Sequence, residues 1–166
     1  MNTNPYDRFL AGRSPATLIG EFSGKLVQTV AELGDEGMER SLAPGKWTVR
    51  QILCHLADCE IAFAFRWRQA LAEEHHVVQP FDQDLWASRY ASLSADDALR
   101  TFVAIRRWNV QLLDSLSPSD WEREVTHPER GRQTFRTLVE TMAGHDLNHL
   151  EQLEGIAALS KNLNKN

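Results

Sequence analysis

Cysteine is scarce in this chain: Cys54 and Cys59 are the two among 166 residues. Five apart on a helix, they point about 140° away from each other, so no internal disulfide is expected. Two thiols also exclude a four-thiolate zinc site. Long apolar runs are missing, and nothing approaches the roughly eighteen residues of a membrane span. Positive charge is in deficit as well. Lys and Arg number 18 against 23 Asp and Glu, a formal net charge of −5. That balance argues against sequence-independent binding of nucleic acid. The start, Met1-Asn-Thr-Asn-Pro-Tyr-Asp7, has neither the basic nor the apolar region of a signal peptide. No internal repeat or low-complexity tract breaks the chain. The expectation is one soluble domain over residues 1–166, with its core at about 14–159, in a reducing, cytoplasmic setting.

What is present is helical periodicity. A first helix opens at Ser14-Pro15, a capping serine before a first-turn proline, and Gly34 can end it. Its stripe is Leu18, Ile19, Phe22, Leu26, Val30 and Leu33. A second helix opens at Thr48-Val-Arg-Gln51, the pattern of a capping box, and runs to about Ala72. A long connection, Glu73–Leu93, follows, with a short helix expected after Pro80. A third helix starts at Ser94 and ends before Ser117-Pro118. The polar stretch Ser119–Gln133 reads as a linker. A fourth helix spans about Thr134–Leu159, and the tail beyond it is expected to fray. Together these predict an all-α four-helix bundle with a long connection between helices two and three.

The fourth helix carries His145-Asp-Leu-Asn-His149 inside its apolar stripe. Leu138, Met142, His145, His149 and Ile156 fall within roughly 40° of one direction at 3.6 residues per turn. Imidazoles thus take positions where leucines would fill a core, and each buried ring nitrogen needs a partner. His55 lies on the flank of the second helix's apolar face. Three inward histidines on two helices could hold one divalent ion and keep a position open. Ligation by neutral imidazole predicts an affinity that falls as pH drops through about 6.5. Other metal architectures fit less well. The Glu-x-x-His spacing of di-iron bundles occurs only at Glu73/His76 and Glu124/His127, outside the helix interiors. The zincin motif lacks its glutamate after the first histidine.

Several neighbours offer second roles. Cys59 reads as packing, with fourth ligand as its alternative. Arg66, on the inward side of the second helix, could take a substrate carboxylate, or pack its stem with its head in solvent. Asp82 and Asp84 could reach the site from the connection or cap a short helix. Asp58 and Asp146 could orient imidazoles, though solvent-facing charge is the default. His75, His76 and His127 are expected exposed. Trp86 and Trp67 could wall a pocket, with core packing favoured for Trp67.

The order Trp47-Thr48, His55-Leu-Ala-Asp58-Cys-Glu60 and His145-x-x-x-His149 resembles the DinB/YfiT-like superfamily, as does the Pro80–Trp86 segment. The resemblance runs from about Ser14 to Leu159. It implies a metal-binding four-helix bundle with His55, His145 and His149 as ligands. It also implies relatives among thiol-dependent S-transferases that use bacillithiol, mycothiol or glutathione, and among mycothiol-dependent maleylpyruvate isomerases. The function expected is therefore a divalent-metal-dependent thiol S-transferase, with a small-molecule substrate and a low-molecular-weight thiol as partners. Arg66 and Asp82 are its candidate catalytic residues. The ion could be zinc, nickel, manganese or iron. A hydrolase using the same triad, a non-catalytic metal-binding or stress-response module, and a homodimer with satisfied core histidines stay open as alternatives.

Overall fold

The computed structural model describes residues 4–163. Met1–Thr3, within the segment read for a leader, and 164–166, within the tail expected to fray, lie outside the described residues. Among the described residues there are six α-helices: α1 (Asp7–Leu10), α2 (Pro15–Leu33), α3 (Val49–Ala72), α4 (Gln83–Ala87), α5 (Ala95–Asp114) and α6 (Phe135–Leu163). The four long ones are the four read from periodicity. Their starts obey the expected chemistry. Thr48 Oγ1 accepts from Gln51 N at 3.3 Å, and Gln51 Oε1 accepts from Thr48 N at 2.9 Å, closing the box at the head of α3. Ser14 caps α2 and Ser94 caps α5. No helix among the described residues is long and apolar enough to cross a membrane.

The long helices pack as α3 against α5 and α6, and α2 against α5 and α6. Consecutive α2 and α3 therefore lie on one diagonal of the bundle, and α5 and α6 on the other. Crossing a diagonal needs long connections, which 34–48 and 115–134 supply. α3 and α5 are neighbours that run parallel: the N-terminal half of each packs in one apolar cluster and the C-terminal half of each in the other. The connection between them therefore has to return along the length of the bundle, which accounts for its length.

The core is apolar at both ends and polar in the middle. On α3, Val49, Ile52 and Leu56 belong to one cluster, and Phe63, Trp67 and Ala70 to another. On α6 the same division falls between Met142 and Leu150, and on α5 between Phe102 and Leu113. At the division sit His55, Glu60, Arg106, Asn109, His145, Asp146 and His149, all buried. Asp146 thus departs from the solvent-facing expectation. Its partner, Arg106, comes from a helix that the local sequence cannot reveal.

The stretch read as a polar linker holds an antiparallel hairpin, β1 (Glu124–His127) and β2 (Gly131–Thr134). Its alternation is short but real: Val125 and His127 face inward, Glu124 and Thr126 outward. Gly131 has φ +75°, which glycine adopts without a Cβ penalty. Val78 N donates to Thr126 O, and Thr126 N to His76 O, each at 2.9 Å. The connection after α3 is thereby laced to the hairpin. His76 and His127 are buried by this pairing, against expectation, whereas His75 is exposed as expected.

Candidate metal centre

His55 and Cys59 project from successive turns of α3, and His145 and His149 from successive turns of α6, where those helices cross. His55 Nε2 and His145 Nε2 are 2.9 Å apart. Cys59 Sγ lies 3.5 Å from the first and 3.8 Å from the second. The His149 ring centroid is 4.5 Å from that of His145 and 4.9 Å from that of His55. All four side chains are buried. Two nitrogens on one tetrahedral zinc-like ion sit about 3.3 Å apart, and a nitrogen and a sulfur about 3.6 Å. The donor spacing of His55, Cys59 and His145 therefore fits a single cation after the two imidazoles part by a few tenths of an ångström. Those three donor atoms lie within 4.8 Å of one another, so Cys59, expected as packing, puts its sulfur in the converging set, whereas His149 is beside that set rather than in it.

The outer ring nitrogens set the tautomers. His149 Nδ1 faces Gln152 Oε1 at 3.1 Å, so it donates there and leaves Nε2 with a lone pair. His145 Nδ1 is buried without a hydrogen-bond partner and lies 3.6 Å from Asp146 Oδ1. Asp146 is held in turn by Arg106 at 2.7 Å. Arg106 also pairs with both oxygens of Glu60, and Asn109 Nδ2 donates to Glu60 Oε1 at 2.8 Å. Two buried carboxylates face one guanidinium, a formal surplus of one negative charge beside the histidines. A dication is favoured by that surplus, and the orphaned Nδ1 points the same way.

Aromatic rings enclose the cluster. The Trp47 ring is 4.8 Å from His55 and stacks on His149 at 6.2 Å. Tyr6 meets His145 edge-on at 5.5 Å. Tyr6, missed by the sequence reading, is seated by Gly144, where a Cβ would fall 2.6 Å from Tyr6 Cβ. Asp58 accepts from Tyr90 Oη at 2.8 Å. Trp67 is core, as favoured, and Trp86 stacks on Phe81.

Two cavities meet at the cluster. One of about 170 Å³ is lined by His55, Cys59, His145, Arg66, His127 and Arg130 among others. One of about 550 Å³ reaches His149, Trp47 and Gln152. Tyr6 and Gln83 border both. Arg66 is buried in the smaller cavity's wall. Asp82 is exposed and caps α4, accepting from Asp84 N and Leu85 N at 3.0 Å. His127 and Arg130 are lining residues that the linker reading hid.

Burial, with the neighbouring imidazoles, pushes His55 down to about 2. Burial, then His145, pushes His149 down to about 3. Both are therefore held neutral in the fold near pH 6.5. The unfolded chain does bind protons there. Below 6.5 it carries more protons than the fold, so stability falls as pH falls. The metal-free protein should lose urea resistance steadily from pH 6.5 towards 3, followed by helical circular dichroism, and His149→Leu should make the slope shallower. A midpoint unchanged between pH 7 and 5 would contradict neutral burial.

The family model for the DinB superfamily matches residues 22–153. A protein of Oceanobacillus iheyensis, named as a putative metal-dependent hydrolase, is 34% identical over 132 residues, covering 79% of this chain and 77% of its own. A Bacillus mycoides protein with the same designation is 27% identical over 139 residues, covering 83% and 80%. Among solved structures, YfiT from Bacillus subtilis, described as a probable metal-dependent hydrolase with an unusual four-helix bundle topology, superposes with a TM-score of 0.81. It is 22% identical, with 89% of this chain and 86% of that one covered. A mycothiol-dependent maleylpyruvate isomerase matches at a TM-score of 0.68 and 17% identity, covering 84% of this chain and 59% of that one. A family model that matches most of the chain, a relative at 34% identity and the shared four-helix fold agree with one assignment: this chain belongs to the DinB superfamily.

Proposed function

We propose that the chain is a divalent-metal-dependent enzyme in which His55, His145 and His149 hold one cation, and that its cosubstrate is a low-molecular-weight thiol. The observation that carries this reading is the meeting of two cavities at the histidine cluster. A purely structural ion needs no access, whereas a two-substrate transfer needs a place for each partner beside the reacting centre. A bound cation would lower the pKa of a thiol or water at its open position and stabilise the resulting anion. The chain's own groups do the rest. Gln152 orients the His149 imidazole through Nδ1, and the Asp146 carboxylate lies beside His145 Nδ1. Trp47 and Tyr6 shield the cluster from bulk water. The cavity of about 550 Å³ has the volume of a small-molecule site and is assigned to the thiol. Fold kinship with a mycothiol-dependent enzyme supports that choice.

A hydrolase is the second reading, favoured by the names of the relatives at 27–34% identity. In it the nucleophile is water, and the same residues keep their places. The two readings separate on cobalt-substituted protein. Added thiol should produce a sulfur-to-cobalt charge-transfer band that His55→Ala abolishes and Cys59→Ser leaves in place. Absence of any thiol-dependent band, with ester or amide turnover in thiol-free buffer, would select the hydrolase. A band present before thiol is added, and removed by Cys59→Ser, would make Cys59 a fourth protein ligand and overturn the open site.

A further inference from the structure

We propose that the smaller cavity is a carboxylate subsite, in which Arg66, Arg130 and His127 hold an anionic group of the substrate beside the histidine cluster. The proposal rests on the enzyme reading and names its substrate class. Its starting point is a contrast between two buried arginines. Arg106 has two carboxylate partners. Arg66, only 8% exposed, has none among the described residues. A buried cation without a counter-ion is costly, and a ligand that brings the counter-ion removes the cost.

Arg66 is also prepared for a planar oxyanion. Its guanidinium carbon sits 5.1 Å from the Phe63 ring centroid and 5.2 Å from that of Phe81, so two rings clamp it. One terminal nitrogen donates to Gln79 O at 2.7 Å. The other N–H groups have no protein acceptor among the described residues and remain for a bidentate contact. The hairpin adds Arg130 to the lining, a guanidinium with no ion pair among the described residues. It also supplies His127, whose Nδ1 accepts the Glu129 backbone N–H at 3.2 Å. That bond leaves the ring proton on Nε2, a donor. Burial, with Arg130 and Arg66 nearby, holds His127 below its usual value and hence neutral. Glu129 is the one carboxylate in the lining, against two guanidinium groups. At about 170 Å³ the cavity admits the volume of five or six waters, enough for a short carboxylate but not for a whole thiol cosubstrate. The hairpin is thus a specificity element rather than a passive link.

Calorimetric titration with succinate and with uncharged succinamide tests this. Wild type, Arg130→Gln, Arg66→Lys and His145→Ala are compared, each without metal and with zinc, and zinc content is measured separately. Succinate should bind metal-free wild type, with succinamide about 10- to 100-fold weaker. Arg130→Gln, at an exposed position, should weaken succinate by about 10-fold or more, and Arg66→Lys likewise, because lysine lacks the planar fork. The proposal is overturned if succinate does not bind at millimolar concentration, if the amide binds equally well, or if Arg130→Gln has no effect. It is also overturned if binding needs zinc and vanishes in His145→Ala, since the anion would then sit on the ion. A wild type that takes up no zinc yet binds succinate through Arg130 would defeat the metal reading and leave the subsite standing.

Discussion

Arg106→Met should destabilise the protein by about 3–5 kcal/mol, the cost of leaving buried carboxylates without their counter-ion. That is a large share of the 5–15 kcal/mol typical of a folded domain. Arg106 is 1% exposed and ties Glu60 on α3 to Asp146 on α6, with Ile19 O accepting from it on α2 at 3.3 Å. One guanidinium therefore binds all three of the other long helices at the level of the histidines. Urea denaturation at pH 7 measures the loss. Neutralising both acids in the same background, as Glu60→Gln and Asp146→Asn, should recover most of it, because the stranded charges are gone. A single-variant loss below about 1 kcal/mol would mean the acids are protonated or solvated, and the buried negative surplus would lose its place in the metal argument. The recovered triple variant should bind metal less tightly than wild type, since the field favouring a dication is removed with the charges.

His145→Ala should lower zinc affinity by more than about 100-fold, beyond what removal of an outer-shell partner usually costs. Protein purified without a histidine tag should carry about one divalent ion per chain, read by elemental analysis. His75→Ala should leave that value unchanged: His75 is exposed in the turn after α3 and absent from the lining of either cavity. Equal losses from both substitutions would remove the triad. The variant should also be informative without metal. Its neighbour His55 Nε2 faces His145 at 2.9 Å and would lose its polar partner, so the metal-free fold should weaken as well.

The bundle was legible because its signals are local. The capping box at Thr48, the serine caps at Ser14 and Ser94, and the stripes of α2 and α6 each lie within a few residues. The histidine pair was legible for the same reason, since a helix face is a short-range property. What escaped depends on distant partners. Asp146 looks like any helical aspartate until Arg106 arrives from α5. His127 lies in a four-residue strand whose alternation is too brief to stand out, and it is buried because the chain near His76 pairs with it. Tyr6 becomes part of the site only because Gly144 leaves room for it. Cys59 could be read as a small hydrophobe or as a donor, and only the crossing of α3 and α6 brings its sulfur to 3.8 Å from His145 Nε2.

His55 and His145 are separated by 90 positions along the chain. A ribosome adding roughly 5–20 residues per second needs about 5–18 s to pass from one to the other. Throughout that interval His55 exists without the two histidines of α6. The proposed donor set closes only when α6 docks, so loading of such a site has to follow the emergence of that helix. Metal supply at that moment, rather than while α3 is emerging, would then govern which ion the site takes.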